Sequence, residues 1–335
     1  MSSEIAEIVD AASSTDGAEL MQRVLQHELP PVLDDLVEEY VTLEGARDRF
    51  MWQWVHDLAP QNTLPCVAPE YEDKVATDKT LTILYVTPLD DVLEKRRDPV
   101  TFEEAAKLPF DHQAVDWDRD GLDVDYLEFT QQVWETLLAR LESAPEYAAY
   151  SRLFRYDLRQ AVNAIEYTNL VIDRPDLATV QDLELYESHN MVMYAYLDTD
   201  LMHSDPSYAE ELPALRRALW PAQQMARIGN WLSTWERELL EGDYSSGIVV
   251  YALQHDIVTP AELEAVRAGE DGAFEEVVDR IHRNGIEEVF LSRWDGHQAE
   301  LTAINEHEVH GMDLTPFIDG LKVVLRYPLA SRGLK

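Results

Sequence analysis

Helical periodicity runs through almost the whole chain and constrains the fold more than any other feature. Apolar residues recur every three or four positions, as in Leu20-Met21 followed by Val24-Leu25, and again across residues 127–141. Proline and glycine clusters separate about ten to twelve such segments, and strands do not alternate with helices. The pattern predicts an all-α fold.

Two short apolar stretches, 81–86 and 248–252, have a strand-like composition. Each adjoins a helical pattern and is equally compatible with a buried helix. The acidic segment 1–17, rich in small residues, is predicted to be a frayed N-terminus. No linker or internal repeat divides the remainder, so residues 18–335 are predicted to form a single helical bundle domain.

The acidic balance of the composition excludes one large class of partners. The chain has 335 residues, with 65 Asp and Glu against 27 Lys and Arg, a net charge of −38. A phosphate backbone would be repelled over most of such a surface, so nucleic acid is not an expected partner. The acidic residues are spread along the whole sequence, which is typical of proteins that stay hydrated in a salt-rich cytoplasm, as in halophilic archaea.

The cysteine content and the apolar segments of the sequence indicate the cellular compartment. Cys66 is the only cysteine, so the chain has no disulfide framework and no thiolate metal cluster. The first residues lack the basic and apolar regions of a secretory signal, and no apolar run is long enough to span a membrane. A soluble, cytoplasmic protein is therefore expected.

Two segments of the sequence resemble known metal-binding motifs but do not match them fully. His307 and His310 are three residues apart, whereas the zinc-protease helix needs histidines four apart. The segment 116–121 opens like an EF-hand loop, but its twelfth position is Leu127 and an acid, Glu128, follows one residue late. An acidic surface loop is the preferred interpretation, with weak Ca²⁺ binding left open.

Carboxylates at i, i+1 and i+4 follow the apolar stretch 81–86. On a helix, Asp90 and Glu94 share a face one turn apart, with Asp91 beside them. Like charges this close to buried apolar residues favour a cation between them, and Mg²⁺ prefers such oxygen ligands when a phosphate completes its coordination. The segment Asp34-Asp35-x-x-Glu38 matches the same pattern, so the motif alone is weak evidence.

A second group of oxygen ligands repeats every four residues. Asn230, Thr234 and Glu238 form a stripe of amide, hydroxyl and carboxylate over two helical turns, among Trp and Leu residues. Arg237 precedes the last of them and could reach a bound phosphate. The stripe is a candidate low-charge Mg²⁺ site.

Taken together, these motifs resemble those of class I terpene synthases. The stripe is similar to that family's second metal motif, and it follows Asp90 by 140 residues, about the family's interval. Phe317-Ile318-Asp319-Gly320 and Arg326-Tyr327 resemble the family's final helix and its diphosphate-gripping pair. The resemblance covers residues 50–330 and implies a helical bundle in which Asp90 and Asn230 face one cavity.

The resemblance also implies a function and a set of roles. The expected activity is that of a terpene synthase or cyclase, a lyase that ionises a C15 or C20 isoprenyl diphosphate and releases diphosphate. Three Mg²⁺ ions would be bound by two groups, Asp90, Asp91 and Glu94 on one side and Asn230, Thr234 and Glu238 on the other. Arg237, Arg326 and Tyr327 would bind the diphosphate. Candidate residues for an aromatic cavity lining are Trp52, Trp54, Tyr85 and Tyr186.

The sequence departs from the family at three points. The region 183–191, where bacterial and fungal members usually carry a diphosphate-sensing arginine, has no basic residue other than His189, and no Lys or Arg lies between Arg174 and Arg216. Trp231 replaces the usual Asp of the second motif, and the DxDD motif of class II enzymes is absent. A different residue would have to bind the diphosphate.

Two other functions stay open. A prenyltransferase or a squalene- or phytoene-synthase-like condensing enzyme shares the fold and the Mg²⁺ chemistry, but Asp198, Asp200 and Asp205 do not form the second Asp-rich motif that it needs. A non-catalytic isoprenoid-binding protein would explain the missing arginine. A homodimer is also compatible with the sequence.

Overall fold

The structure is a computed structural model that describes residues 15–330. Within this range the chain forms fifteen α-helices joined by turns and five 3-10 segments. The described residues contain no β-strand, only an isolated bridge between Val67 and Ser204. The predicted all-α fold is therefore confirmed.

The α-helices are α1 (Thr15–Leu25), α2 (Pro31–Thr42), α3 (Arg49–Leu58), α4 (Glu72–Glu94), α5 (Pro99–Ala105), α6 (Val124–Glu142), α7 (Tyr147–Asp173), α8 (Val180–Leu185), α9 (Met193–Met202), α10 (Leu212–Glu241), α11 (Gly247–Gln254), α12 (Pro260–Arg267), α13 (Ala273–Arg283), α14 (Ile286–His307) and α15 (Thr315–Ala330). The 3-10 segments are Ala59–Asn62, Pro69–Tyr71, Pro175–Leu177, Glu187–Met191 and Pro206–Glu211.

The helix boundaries resolve the open points of the sequence. The strand-like stretches 81–86 and 248–252 both lie within helices, α4 and α11. Helix α1 already begins at Thr15, inside the segment predicted to fray, and residues 1–14 lie outside the described residues. Side chains at the helix starts accept the free backbone N–H groups, for example Asp48 at α3 and Asp98 at α5.

Helix α4 is the central helix of the bundle. Seventeen of its 23 residues are buried, which is typical of a helix surrounded by others on all sides. Three of its buried threonines, Thr77, Thr80 and Thr82, donate their hydroxyls to backbone carbonyls one turn earlier in the same helix, as Thr80 does to Ala76 at 2.8 Å. Lys79, also buried, lies 2.7 Å from Asp200 and thereby ties α4 to α9. The last turn of this rigidly held helix carries Asp90 and Glu94.

Helix α10 is the longest helix in the described part of the chain, with 30 residues, and packs against α9, α14 and α15. It ends at Glu241 and is followed by Gly242, whose φ of 81° is a left-handed conformation that a residue with a Cβ adopts only at a cost. This turn directs Asp243 back toward the last residues of the helix, where its backbone N–H donates to the Glu238 carbonyl at 2.8 Å.

Helix α15 closes the bundle beside α10 through an unusually close contact. A Cβ built at Gly320 would lie 2.0 Å from the Gln61 carbonyl oxygen, so only glycine fits there. The contact brings α15 against the 3-10 segment Ala59–Asn62 and positions its apolar residues near α10. No helix among residues 15–330 has the length and apolarity needed to cross a membrane.

Candidate functional site

A cavity of about 450 Å³ opens between α4 and α10. Helices α3, α7, α9 and α15 complete its walls, together with the loop before α3. Both predicted metal motifs contribute to it: Asp90 and Glu94 line the cavity from α4, and Asn230, Thr234 and Glu238 line it from α10. Two segments 140 residues apart in sequence thus meet at one site.

Asp91 does not line this cavity. Neighbouring positions on a helix point ~100° apart, so Asp91 points away from the face that Asp90 and Glu94 share. Its buried carboxylate accepts a hydrogen bond from the Tyr40 hydroxyl and lies 3.5 Å from the Arg47 guanidinium. In this structure Asp91 stabilises the packing of α2 and the following loop against α4.

The carboxyl groups of the first motif have unfavourable surroundings without a cation. Burial raises the pKa of Asp90 to about 6, although Arg47, 3.8 Å away, acts in the opposite direction. Burial also raises the pKa of Glu94 well above its ordinary value, and the charges of Asp90 and Asp243 raise it further. The Asp90 Oδ1 atom is buried without a hydrogen-bond donor. A divalent cation would relieve both the repulsion and the missing contact.

The second motif shows the same electrostatic problem on α10. Burial raises the pKa of Glu238, and the nearby Asp243 carboxylate adds to this effect. Asp243 is buried, lines the cavity and accepts hydrogen bonds from the Ser245 backbone N–H and hydroxyl at 2.9 and 2.7 Å. Because Asp243 interacts with Glu94 as well as Glu238, it connects the carboxylates of the two motifs.

The main cation of the site is Arg227, which the sequence analysis did not identify. Its buried guanidinium forms an ion pair with the buried Glu187 and donates to Asn230 Oδ1 at 2.8 Å. It also lies over the Trp231 ring, 5.4 Å from the ring centre. Burial lowers the pKa of Arg227, whereas the carboxylates around it, Glu238 first, act in the opposite direction. Arginine stays protonated under such conditions.

Glu187 lies in the region where the resemblance predicts an arginine. In this chain the 3-10 segment Glu187–Met191 carries a carboxylate where the resemblance predicts a basic residue. The basic residue is on α10 instead, as Arg227, one turn before Asn230. The only signal for Arg227 in the sequence is its spacing of three residues from Asn230, which places it on the same helix face.

Three further cations stand around the carboxylates. Arg47, from the loop before α3, contacts Asp90 and Asp91. Arg237 and Lys95 share the Glu241 carboxylate at 2.9 and 2.5 Å. All three cations line the cavity, so its polar end contains both carboxylates and cationic hydrogen-bond donors.

Two predicted diphosphate ligands are not shown at the site. Arg326 is exposed and is not among the residues that line the cavity, whereas its neighbours Val324 and Leu325 are. The side chain of Tyr327 lies outside the described residues. Helix α15 therefore contributes apolar surface, from Leu321 as well, in place of the predicted basic group.

Apolar and aromatic side chains form much of the remaining cavity lining. Of the four aromatic residues predicted to line it, only Trp54 does so. Trp52 and Tyr85 are buried in the core, where the Tyr85 hydroxyl donates to the Ala105 carbonyl at 3.0 Å, and Tyr186 is half exposed. Other apolar and aromatic lining residues include Phe50, Met51, Ile83, Val86, Met193, Tyr196 and Met225.

The alternative acidic motif lies elsewhere. Asp34 pairs with Arg49, and neither Asp35 nor Glu38, both exposed, lines the cavity. A second group of potential metal ligands, Glu236, His282 and Glu287, is not part of the cavity either. Hydrogen bonds satisfy its members, since Trp235 donates to Glu287 at 2.9 Å and His282 lies 3.1 Å from Glu236.

Comparison with known proteins does not identify a family: no protein-family model matches the chain, and no curated protein matches it significantly.

Proposed function

We propose that the protein is a Mg²⁺-dependent class I terpene synthase or cyclase that ionises a C15 or C20 isoprenyl diphosphate. One observation carries the proposal. An acidic motif and an Asn–Thr–Glu stripe, 140 residues apart, line the same polar part of a cavity whose other lining residues are mostly apolar, within an all-α fold. A substrate with an anionic head and an apolar tail has this same polarity.

The residues present fit bound Mg²⁺. Asp90 and Glu94 on one wall and Asn230, Thr234 and Glu238 on the other offer hard oxygen ligands, and Asp243 adds a carboxylate between them. Their raised carboxyl pKa values reflect charge that burial leaves uncompensated. Bound Mg²⁺ would supply Lewis-acid stabilisation of the negative charge that develops on the departing diphosphate.

The chain's own cations would bind the diphosphate head. Arg227 is preorganised by Glu187 and Trp231, so it could donate to a phosphate oxygen without losing further side-chain entropy. Three further cations line the same end of the cavity: Arg237, Lys95 and Arg47. Each is paired with a carboxylate in this structure and would bind a phosphate oxygen instead when the substrate is present. The region 183–191 has no Lys or Arg to bind the diphosphate. Arg227 would supply the buried positive charge in its place.

The apolar end would hold the isoprenyl chain and exclude water. The volume of the whole cavity, about 450 Å³, lies within the range of ~300–1,000 Å³ that is common for small-molecule sites. Trp54, Phe50 and Tyr196 present aromatic groups, which can stabilise a carbocation through their ring faces. Without water exclusion, the cation would be captured as an alcohol.

Product analysis tests this function directly. The purified protein is incubated with Mg²⁺ and C10, C15 and C20 diphosphates, separately and in pairs, and its products are identified by mass spectrometry. A hydrocarbon or cyclic alcohol from one diphosphate supports the proposal. A longer or head-to-head product formed from two diphosphates would indicate a condensing enzyme, and binding without turnover would indicate an isoprenoid-binding protein.

The variant Asp90→Asn serves as the inactive control, since it removes a lining carboxylate. Asp35→Asn is the matched control, because Asp35 is exposed and outside the cavity.

A further inference from the structure

A second concave surface carries a positive charge that is unusual for this protein. This surface surrounds a space of about 400 Å³, which we call the basic pocket. Its lining residues are Phe110, Asp111, His112, Arg152, Arg155, Tyr156 and Arg159. Its arginines occupy positions i, i+3 and i+7 of α7, so all three project from one helix face. Three cations cluster here although the whole chain has a net charge of −38.

These arginines have no carboxylate partner within the described part of the chain. Arg152 makes neither a hydrogen bond nor an ion pair there, and Arg155 donates to the Pro109 carbonyl at 3.0 Å. Arg159 donates to His112 Nε2 at 3.2 Å. Most other described lysines and arginines have a carboxylate within 4.0 Å, for example Arg49, Arg119 and Arg217. Asp111, the only acidic residue of the pocket, forms no ion pair with them.

Two of the guanidinium groups are already held in place. The Arg159 guanidinium lies over the Phe110 ring, 4.1 Å from its centre, and the Pro109 carbonyl fixes Arg155. A guanidinium has five N–H donors, so each keeps most of them for a ligand, in the forked geometry that matches phosphate. Preorganised guanidinium groups that have spare donors and no carboxylate partner are what an anion site requires.

We propose that the basic pocket binds a small oligophosphate, either inorganic or carried by a nucleoside. The open space of about 400 Å³ is large enough for a small molecule, and the three arginines span roughly 10 Å along α7, enough to contact successive phosphate groups. Tyr156, 58% exposed at the same pocket, offers a ring face for a nucleobase.

The basic pocket is separate from the candidate active site. Thr168, the α7 residue that lines the active-site cavity, follows Arg159 by nine residues, about 14 Å along the helix. The proposal therefore does not depend on the terpene synthase proposal.

Calorimetric titration tests the site in the full-length protein. Inorganic tripolyphosphate and ATP are titrated separately, with a chelator present to keep divalent ions out of the active-site cavity, at the lowest KCl concentration that maintains the fold. Both probes are expected to bind, and tighter binding of ATP would show that the nucleoside contributes. Arg152→Gln, Arg155→Gln and Arg159→Gln should each weaken tripolyphosphate binding about ten-fold or more, because each removes a charge-assisted contact.

An arginine elsewhere provides the matched control. Arg283→Gln removes an exposed arginine of another surface, outside both cavities. It should leave tripolyphosphate binding unchanged. Arg152 is exposed and unpartnered, so its variant should fold even where the others do not. Absence of binding by both probes, unchanged binding in Arg152→Gln, or an equal loss of binding in Arg283→Gln would overturn the proposal.

Discussion

Replacement of Arg227 by Gln separates its structural role from its proposed role in diphosphate binding. The substitution leaves the buried Glu187 carboxylate without its ion-pair partner. Breaking a buried ion pair on one side costs about 3–5 kcal/mol. Unfolding entropy of ~2.1 cal/mol/K per residue then gives a decrease in Tm of roughly 4–7 °C for a chain of this length.

The double variant Glu187→Gln/Arg227→Gln should recover much of this stability, because no uncompensated charge remains in the interior. Diphosphate release should not recover. Loss of one preorganised donor to the leaving group lowers turnover about 10²–10³-fold, and the second substitution does not replace that donor.

Thermal unfolding and Mg²⁺-dependent diphosphate release would be measured for the two single variants and the double variant. An unchanged Tm in Arg227→Gln would refute the ion-pair argument. Full turnover in the double variant would show that Arg227 is not needed to bind diphosphate.

Two further predictions concern pH and salt. Burial raises the pKa of Asp90 from 3.8 to about 6, so protons compete with Mg²⁺ for this carboxylate below that pH. The Mg²⁺ concentration for half-maximal activity should therefore rise as pH falls from 7 to 5. A concentration that does not change with pH would argue against Asp90 as a ligand. With a chelator present and no metal bound, the folded state binds the Asp90 proton more tightly than the unfolded state does. The contribution of Asp90 to the free energy of unfolding should therefore decrease as pH rises from 4 to 6. This pH-dependent contribution should be absent in Asp90→Asn. With a net charge of −38, the free energy of unfolding should increase across a KCl series up to molar concentration, whereas a constant value would show that charge repulsion does not limit stability.

Helical periodicity accounts for what the sequence predicted well. It identifies the all-α fold, and it places Asp90 with Glu94 and Asn230 with Thr234 and Glu238 on single helix faces. Those relations are local, because they depend only on 3.6 residues per turn. That the two faces line one cavity was expected from the resemblance and could not be derived from either helix alone.

The cations of the site were harder to predict because they depend on tertiary contacts. Arg227 is 40 residues from Glu187 in sequence, and Arg47 reaches Asp90 from a loop before α3. Arg326 adjoins the cavity-lining Leu325 but is exposed, since adjacent helix positions face different directions. Burial, not periodicity, separates the core aromatic residue Trp52 from Trp54, which lines the cavity.

The central claim is that the stripe on α10 binds Mg²⁺ together with diphosphate, and Glu238→Gln tests it most directly. Glu238 lines the cavity and is only partly buried, so the variant should unfold at nearly the wild-type temperature. Diphosphate release in the presence of Mg²⁺ should decrease by about two orders of magnitude or more, because an electrostatic group is removed from the reacting centre.

Asp35→Asn, in the exposed acidic motif outside the cavity, is measured in parallel and should change neither release nor Tm. Normal diphosphate release by Glu238→Gln, or a comparable loss in Asp35→Asn, would contradict the assignment of the metal site and the mechanism that depends on it.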